Sequence, residues 1–366
     1  MSATADQRVA RRDAVVAVTG AALVAVVVLM WSKWLPYAEK VIELAGTRRW
    51  SGSSILEAGG VRPGERPSWH AAVSFTTAYG AAVWKALVAA LLISAAIQAW
   101  VPGTWLLRLL DRPGRVRSAA VAGLASMPSM MCTCCTAPVA VGLRRRGVGV
   151  SAAVAYWLGN PLLNPAVLVF LVLVAPWQWA VTRILVGVLL VIGGAAVVSW
   201  FTDRRRTPGT AVMLEESPAG DSGTPERTGD GWLRTAPTRF ARTLIRMALV
   251  LLPEYLLVVM LVGACRGWLL ELGPSSGSAA WVLVGVAAVA GTLMVIPTGG
   301  EIPILHGLVL AGLSTGAVGA LLITLPAASL PGIAMVGRSL GWRTTTATTV
   351  LVIAGGLIAA GLLTVL

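Results

Sequence analysis

The chain has 366 residues, 56% of them hydrophobic and only 12% charged, with a mean hydropathy of +0.78. Soluble domains carry about 25% charged residues, so a soluble enzyme or binding module is excluded, and continuous apolar runs of about 20 residues indicate spanning helices and not a β-barrel. The net charge of +13 would suit nucleic acid, but the basic residues cluster between apolar runs, as the positive-inside rule predicts, so the expected partner is the bilayer and not nucleic acid.

The fold class expected is all-α: a polytopic protein of the cytoplasmic membrane. Arg8, Arg11 and Arg12 precede an apolar run from Ala14 to about Leu35. That run is too long for a signal-peptide core and reads as a first span with its N-terminus in the cytoplasm. Pro36–His70 is polar and mixed in charge, and is expected outside. About Tyr79–Trp100 returns to a cytoplasmic loop marked by Arg108, Arg112, Arg115 and Arg117.

The segment Ala119–Leu143 is flanked by basic clusters on both sides, ending at Arg144, Arg145 and Arg146. A simple span would strand one cluster on the wrong side, and Pro128 and Pro138 interrupt a helix. A re-entrant hairpin is expected. Val150–Ala175 then crosses outward, broken by GNPLLNP, and Val181–Phe201 returns. Asp203 to about Thr238 reads as a flexible cytoplasmic linker, and Thr243–Ala264 as a fifth span. The organisation expected is an N-terminal span and loop (residues 1–70), a membrane half (71–202), the linker (203–240) and a second half (241–366).

At a shift of 165 positions the chain resembles itself. Thr133 meets Thr298, Pro138 meets Pro303, Gly142 meets Gly307, Leu143 meets Leu308, Gly147 meets Gly312 and Pro161 meets Pro326. Each half holds one span, a hairpin and two spans. An odd number of crossings places the halves in opposite orientation, so two inverted-topology repeats are expected, each with a broken or re-entrant hairpin, as in secondary transporters. The second hairpin, Ala279–Leu313, would enter from outside, although Ala279–Ile296 is long enough to span. The chain would end outside.

The stretch MPSMMCTCCTAP concentrates the sulfur. Met127, Met130, Met131, Cys132, Cys134 and Cys135 fall within nine residues, and the fourth cysteine, Cys265, is far away. Thiolate and thioether are soft donors suited to Cu(I), Zn(II) and thiophilic metalloids. Cys132, Cys134 and Cys135 are the candidate ligands, with Met130 and Met131 extending the set or packing. Buried cysteine also behaves as a small hydrophobe, so inert packing at a helix break is the plain alternative. Asn160 and Asn164 flank the break in GNPLLNP and either satisfy its backbone or line a pathway beside the cysteines; Ser329 is the counterpart of Asn164. Glu301 in the second hairpin is the candidate proton-carrying or cation-binding group, since intramembrane charges are costly. Its alternative is to anchor the hairpin. Glu254 and Lys85 are a candidate ion pair, or Lys85 snorkels outward.

CTCCTAPVAVGLRRRG, GNPLLNP and IPTGGEIPILHGLVLAGLSTGA together resemble the ArsP-type permeases, predicted membrane transporters that include exporters of trivalent organoarsenicals. The resemblance covers about Leu87 to Leu366. It implies efflux of a small thiophilic metalloid and no enzymatic activity. Cys135 stands where the resemblance implies glycine, and this additional thiol keeps soft-metal cargo such as Cu(I) as an alternative. A membrane thiol–disulfide redox protein is the alternative of another class, although no thioredoxin-like βαβ pattern is present, and a purely structural subunit is a further one. No GxxxxGK[ST] P-loop occurs and no cofactor is expected, so any driving force would be an ion gradient or the membrane potential. The oligomeric state is left open.

Overall fold

The computed structural model describes residues 2–50, 55–62, 64–110, 112–203, 231–270, 280–310 and 312–366. Every regular element among them is helical. Among the described residues, six helices are long and apolar enough to cross a membrane, or seven if the pair Thr315–Ala327 and Leu330–Leu340, bent by 52°, counts as one span. The protein is a multi-pass membrane protein.

Helix α1 (Ser2–Leu29) runs through a π-helical turn, Met30–Trp34, into α2 (Leu35–Thr47). The first span thus continues well past Leu35, and the polar stretch expected over Pro36–His70 begins as helix. Pro36 does not stop it, because proline is tolerated at the start of a helical segment. Helix α3 (Trp69–Trp100) is started by Ser68, whose Oγ accepts from the Ala71 N–H at 3.1 Å. A short α4 (Gly103–Leu110) follows.

The segment expected as the first hairpin holds two short helices, α5 (Arg115–Ser126) and α6 (Thr133–Arg145), of 12 and 13 residues. At 1.5 Å per residue each reaches about 20 Å, short of the roughly 30 Å hydrocarbon core. The break lies at a 3₁₀ turn, Met127–Ser129, followed by Met130 in left-handed backbone (φ 48°). Pro138 does not break the chain as the sequence reading expected; it lies inside α6, and its carbonyl accepts from Ser94 Oγ at 2.7 Å. Helices α7 (Val150–Leu162) and α8 (Pro165–Val174) meet at Asn164, whose Oδ1 caps α8 by accepting from Ala166 and Val167. Helices α9 (Trp177–Val188) and α10 (Ala195–Asp203), joined by a second π turn, complete the half.

Of the linker expected over 203–240, residues 204–230 lie outside the described residues, Asp203 ends a helix and helix α11 (Gly231–Leu270) includes the C-terminal part. Helix α12 (Ala280–Leu293) and α13 (Glu301–Leu310), with 14 and 10 residues, again flank a non-helical break. Helices α14 (Thr315–Ala327), α15 (Leu330–Leu340) and α16 (Trp342–Val365) close the chain.

The element starts repeat. Helices α7 and α14 begin at 150 and 315, α8 and α15 at 165 and 330, α9 and α16 at 177 and 342, each pair 165 apart. Gly147 and Gly312, also 165 apart, both adopt positive φ (89° and 88°) in the turns that precede α7 and α14, a conformation open to glycine at no steric cost. Helix α3 packs along α11, α6 against α15, and α14 against both α12 and α16.

Candidate functional site

Where the half-helices break, their ends meet. Cys132 is the N-cap of α6, and Cys134 and Cys135 lie in its first turn. The three Sγ atoms lie within 4.8 Å of one another, all buried. Cys132 Sγ is 3.0 Å from that of Cys134 and 3.1 Å from that of Cys135. The four cysteines are free. A helix N-terminus presents unpaired backbone N–H groups and the positive end of the peptide dipoles, which favours anionic sulfur.

Two tyrosines hold the cluster from behind. Tyr79 Oη is 3.3 Å from Cys134 Sγ, and the Tyr255 hydroxyl donates to Tyr79 Oη at 3.0 Å and to Cys134 Sγ at 3.5 Å. They come from α3 and α11, so both halves contribute. The loop before the cysteines is fixed by Asn160. Its Oδ1 accepts the Met131 N–H at 3.1 Å and the Ser129 hydroxyl at 2.5 Å. Met131 is buried in the core and Met130 packs against it.

A cavity of about 10 Å³ opens beside the cluster, lined by Cys132 and Cys134 from the first half and by Thr298, Glu301 and Ser329 from the second, with Pro161 and Pro326 at its edges. Its volume is about that of one water probe. The cavity lies at the N-termini of α6, α13 and α15.

The two halves are stitched around it. Thr133 donates through Oγ1 to the carbonyl of Pro326, and Trp157 Nε1 donates to Thr133 O at 3.1 Å. On the other side, Arg183 donates to the carbonyls of Pro161 (2.7 Å) and Leu162 (3.2 Å) at the end of α7 and pairs with Glu301 Oε1 at 2.8 Å. Both side chains of this pair are fully withdrawn from solvent (0% and 2% exposed). One guanidinium thus satisfies the open carbonyls of one helix and the carboxylate that begins another.

The structure brings Cys132, Cys134, Glu301 and Ser329 to one cavity, and Cys135 lies behind them in the thiol cluster without lining it. Asn160 holds the cysteine loop from beneath, and Asn164 caps α8 without lining the cavity. Lys85 is exposed, with its ammonium 5.8 Å from the Trp31 ring centroid; the side chain of Glu254 lies outside the described residues. His306 stacks on Trp179, centroids 5.4 Å apart.

Arg183 and Lys33 were missed in the sequence. Lys33, in the π turn, donates to Tyr37 Oη at 2.9 Å and to Thr298 Oγ1 at 3.4 Å. Each is a lone cation inside an apolar run, and the cost of placing charge in a membrane is the signal that marks such residues.

The profile of a family described as "Predicted permease" (ArsP_1) matches residues 68–365. The chain is 39% identical over 343 residues, 93% of its length and 92% of the other, to the UPF0718 protein YraQ of Escherichia coli (strain K12). No solved structure matches the chain.

Proposed function

Because the chain belongs to the ArsP_1 family of predicted permeases, we propose that it exports a small thiophilic metalloid, a trivalent organoarsenical or arsenite-like species, through the cysteine site. One observation carries this reading: three buried thiols converge at a helix N-terminus, and two of them, Cys132 and Cys134, line a cavity completed by residues of the second half. Each thiol that binds an As–OH centre forms an As–S bond and releases water, its proton leaving on the hydroxide. Two or three such bonds hold the cargo and still exchange, which a closed four-ligand cage would not.

The halves act as inverted repeats. The 165-residue periodicity of the helix starts supports this, as does the pairing of half-helix ends at one cavity. A 10 Å³ cavity is too small for the cargo, so the sealed state is one stage of a cycle in which one half rocks against the other. Glu301 serves through its pair with Arg183: a proton taken up by the carboxylate would release the tie between α7 and α13 and couple opening to the proton gradient.

The test is cellular arsenic and copper measured by mass spectrometry in cells that lack their own exporters, after loading with methylarsenite, arsenite or copper. Expression of the intact protein is expected to lower arsenic alone, and the Cys132/Cys134/Cys135→Ser variant to leave it high. Lowered copper instead would move the cargo to Cu(I). Equal contents with both versions would refute the site.

A second reading is thiol–disulfide exchange, favoured by the 3.1 Å between Cys132 and Cys135 Sγ at a helix N-terminus. It requires a reversible Cys132–Cys135 disulfide in cells, with no movement of cargo.

A further inference from the structure

Ser329 is the N-cap of α15 and is 4% exposed. Serine at this position ordinarily turns its hydroxyl back to accept from an N–H of the first turn. Ser329 makes no such bond. Among the described residues its Oγ has no hydrogen-bond partner at all, and a buried hydroxyl left without one is costly. The counterpart 165 positions earlier behaves differently: Asn164 caps α8 by accepting from Ala166 and Val167. The second half keeps open what the first half closes.

Ser329 lines the same cavity as Cys132 and Cys134. The other polar groups there are engaged. Thr133 Oγ1 donates to the Pro326 carbonyl, Arg183 donates to the Pro161 carbonyl and pairs with Glu301 Oε1, and the Thr298 hydroxyl accepts from Lys33. A carboxylate has about four acceptor sites, so Glu301 can still accept beside its pair with Arg183. In the first turn of α15, Pro331 has no N–H and Gly332 has no side chain. A Cβ on Gly332 would lie 3.2 Å from both Ser329 Oγ and Thr133 Cγ2, so glycine keeps the approach to the serine hydroxyl clear. The cavity therefore combines two thiols with one free hydroxyl donor and one carboxylate acceptor. The group that both accepts and donates is itself a hydroxyl.

We propose that the site selects a cargo that keeps a hydroxyl on its soft centre after both thiols have bonded, with Ser329 donating to that oxygen and Glu301 accepting its proton in a hydrogen bond. This rests on reading the cluster as the cargo site, and it makes inorganic arsenite the matched cargo. Arsenite carries three hydroxyls. Cys132 and Cys134 each form an As–S bond, each displaced hydroxide leaves as water with the thiol proton, and arsenic stays trivalent with its third hydroxyl in place. Methylarsenite carries two hydroxyls and loses both, so it presents a methyl group where Ser329 requires an acceptor. The resting cavity, about 10 Å³ or one water in size, matches the hydroxyl and widens for the arsenic.

The experiment is equilibrium dialysis of the purified full chain in lipid nanodiscs, in a Cys265→Ser background, against arsenite or methylarsenite, with bound arsenic counted by mass spectrometry. Ser329→Ala is expected to weaken arsenite binding about tenfold and to leave methylarsenite within about twofold of the parent. Ser329→Thr, which keeps a hydroxyl, is expected to stay within about threefold for both. X-ray absorption at the arsenic edge of the parent loaded with arsenite needs no variant and is expected to show two sulfur neighbours and one oxygen. Three sulfur neighbours, equal effects of Ser329→Ala on both arsenicals, or binding of methylarsenite alone would overturn the hydroxyl subsite and leave the cargo reading standing. Binding of neither arsenical would refute the cargo reading and the subsite with it.

Discussion

Asn160 is the residue on which the shape of the cysteine loop depends. Its one carbonyl oxygen accepts from both Ser129 and Met131, on either side of the left-handed Met130. Asn160→Ala would leave the buried Met131 N–H without its acceptor, at a cost of about 1–3 kcal/mol, while the Ser129 hydroxyl keeps the Ser126 carbonyl at 2.8 Å. Thermal unfolding in detergent is expected to show a lower midpoint for Asn160→Ala and partial recovery in Asn160→Asp, which keeps an acceptor. The sequence already showed that this asparagine neighbours a proline, Pro161. It could not show that the acceptor faces a loop 29 positions earlier in the chain, because nothing in local spacing records that approach. The thiols were legible because three cysteines in four positions are rare. Arg183 and Lys33 were hidden among ordinary span residues, and their partners Glu301 and Thr298 are distant in sequence.

At the scale of elements, short helices are held by close approach. A Cβ on Gly319 of α14 would lie 2.6 Å from the carbonyl oxygen of Ala359 in α16, whereas one on Gly285 of α12 would meet nothing within 4 Å. Gly319→Leu is therefore expected to lose about 1–3 kcal/mol or more through overpacking, and Gly285→Leu to stay near the parent; thermal unfolding of the pair in detergent decides. The sequence marked both hairpins through their glycines and prolines. It misjudged which proline ends a helix: Pro128 stands at a break, whereas Pro138 and Pro161 sit inside helices. A proline removes one N–H, and a neighbouring side chain or a bend can absorb that loss. The extension of the first span to Thr47 was missed because its later turns carry polar residues on an exposed face.

Across the whole molecule, the 165-residue spacing of helix starts makes a claim about sidedness. Arg145 and Leu310 are equivalent positions near the ends of α6 and α13, and both are exposed. If the halves are inverted, Arg145→Cys and Leu310→Cys will be labelled by an impermeant maleimide from opposite faces of the membrane. Labelling of both from one face would refute the inversion. Periodicity was readable from sequence because glycine and proline fix backbone shape in both halves. Orientation depends on which side each loop reaches, and basic clusters give only a bias.

The smallness of the central cavity has a consequence for the energised cell. A space the size of one water, lined by Glu301, Thr133 and Pro326, supports no continuous file of hydrogen-bonded water, and protons cross membranes along such files. A permease in this state is expected to insulate, so that a cell can hold many copies without short-circuiting the gradient that powers the rest of its metabolism.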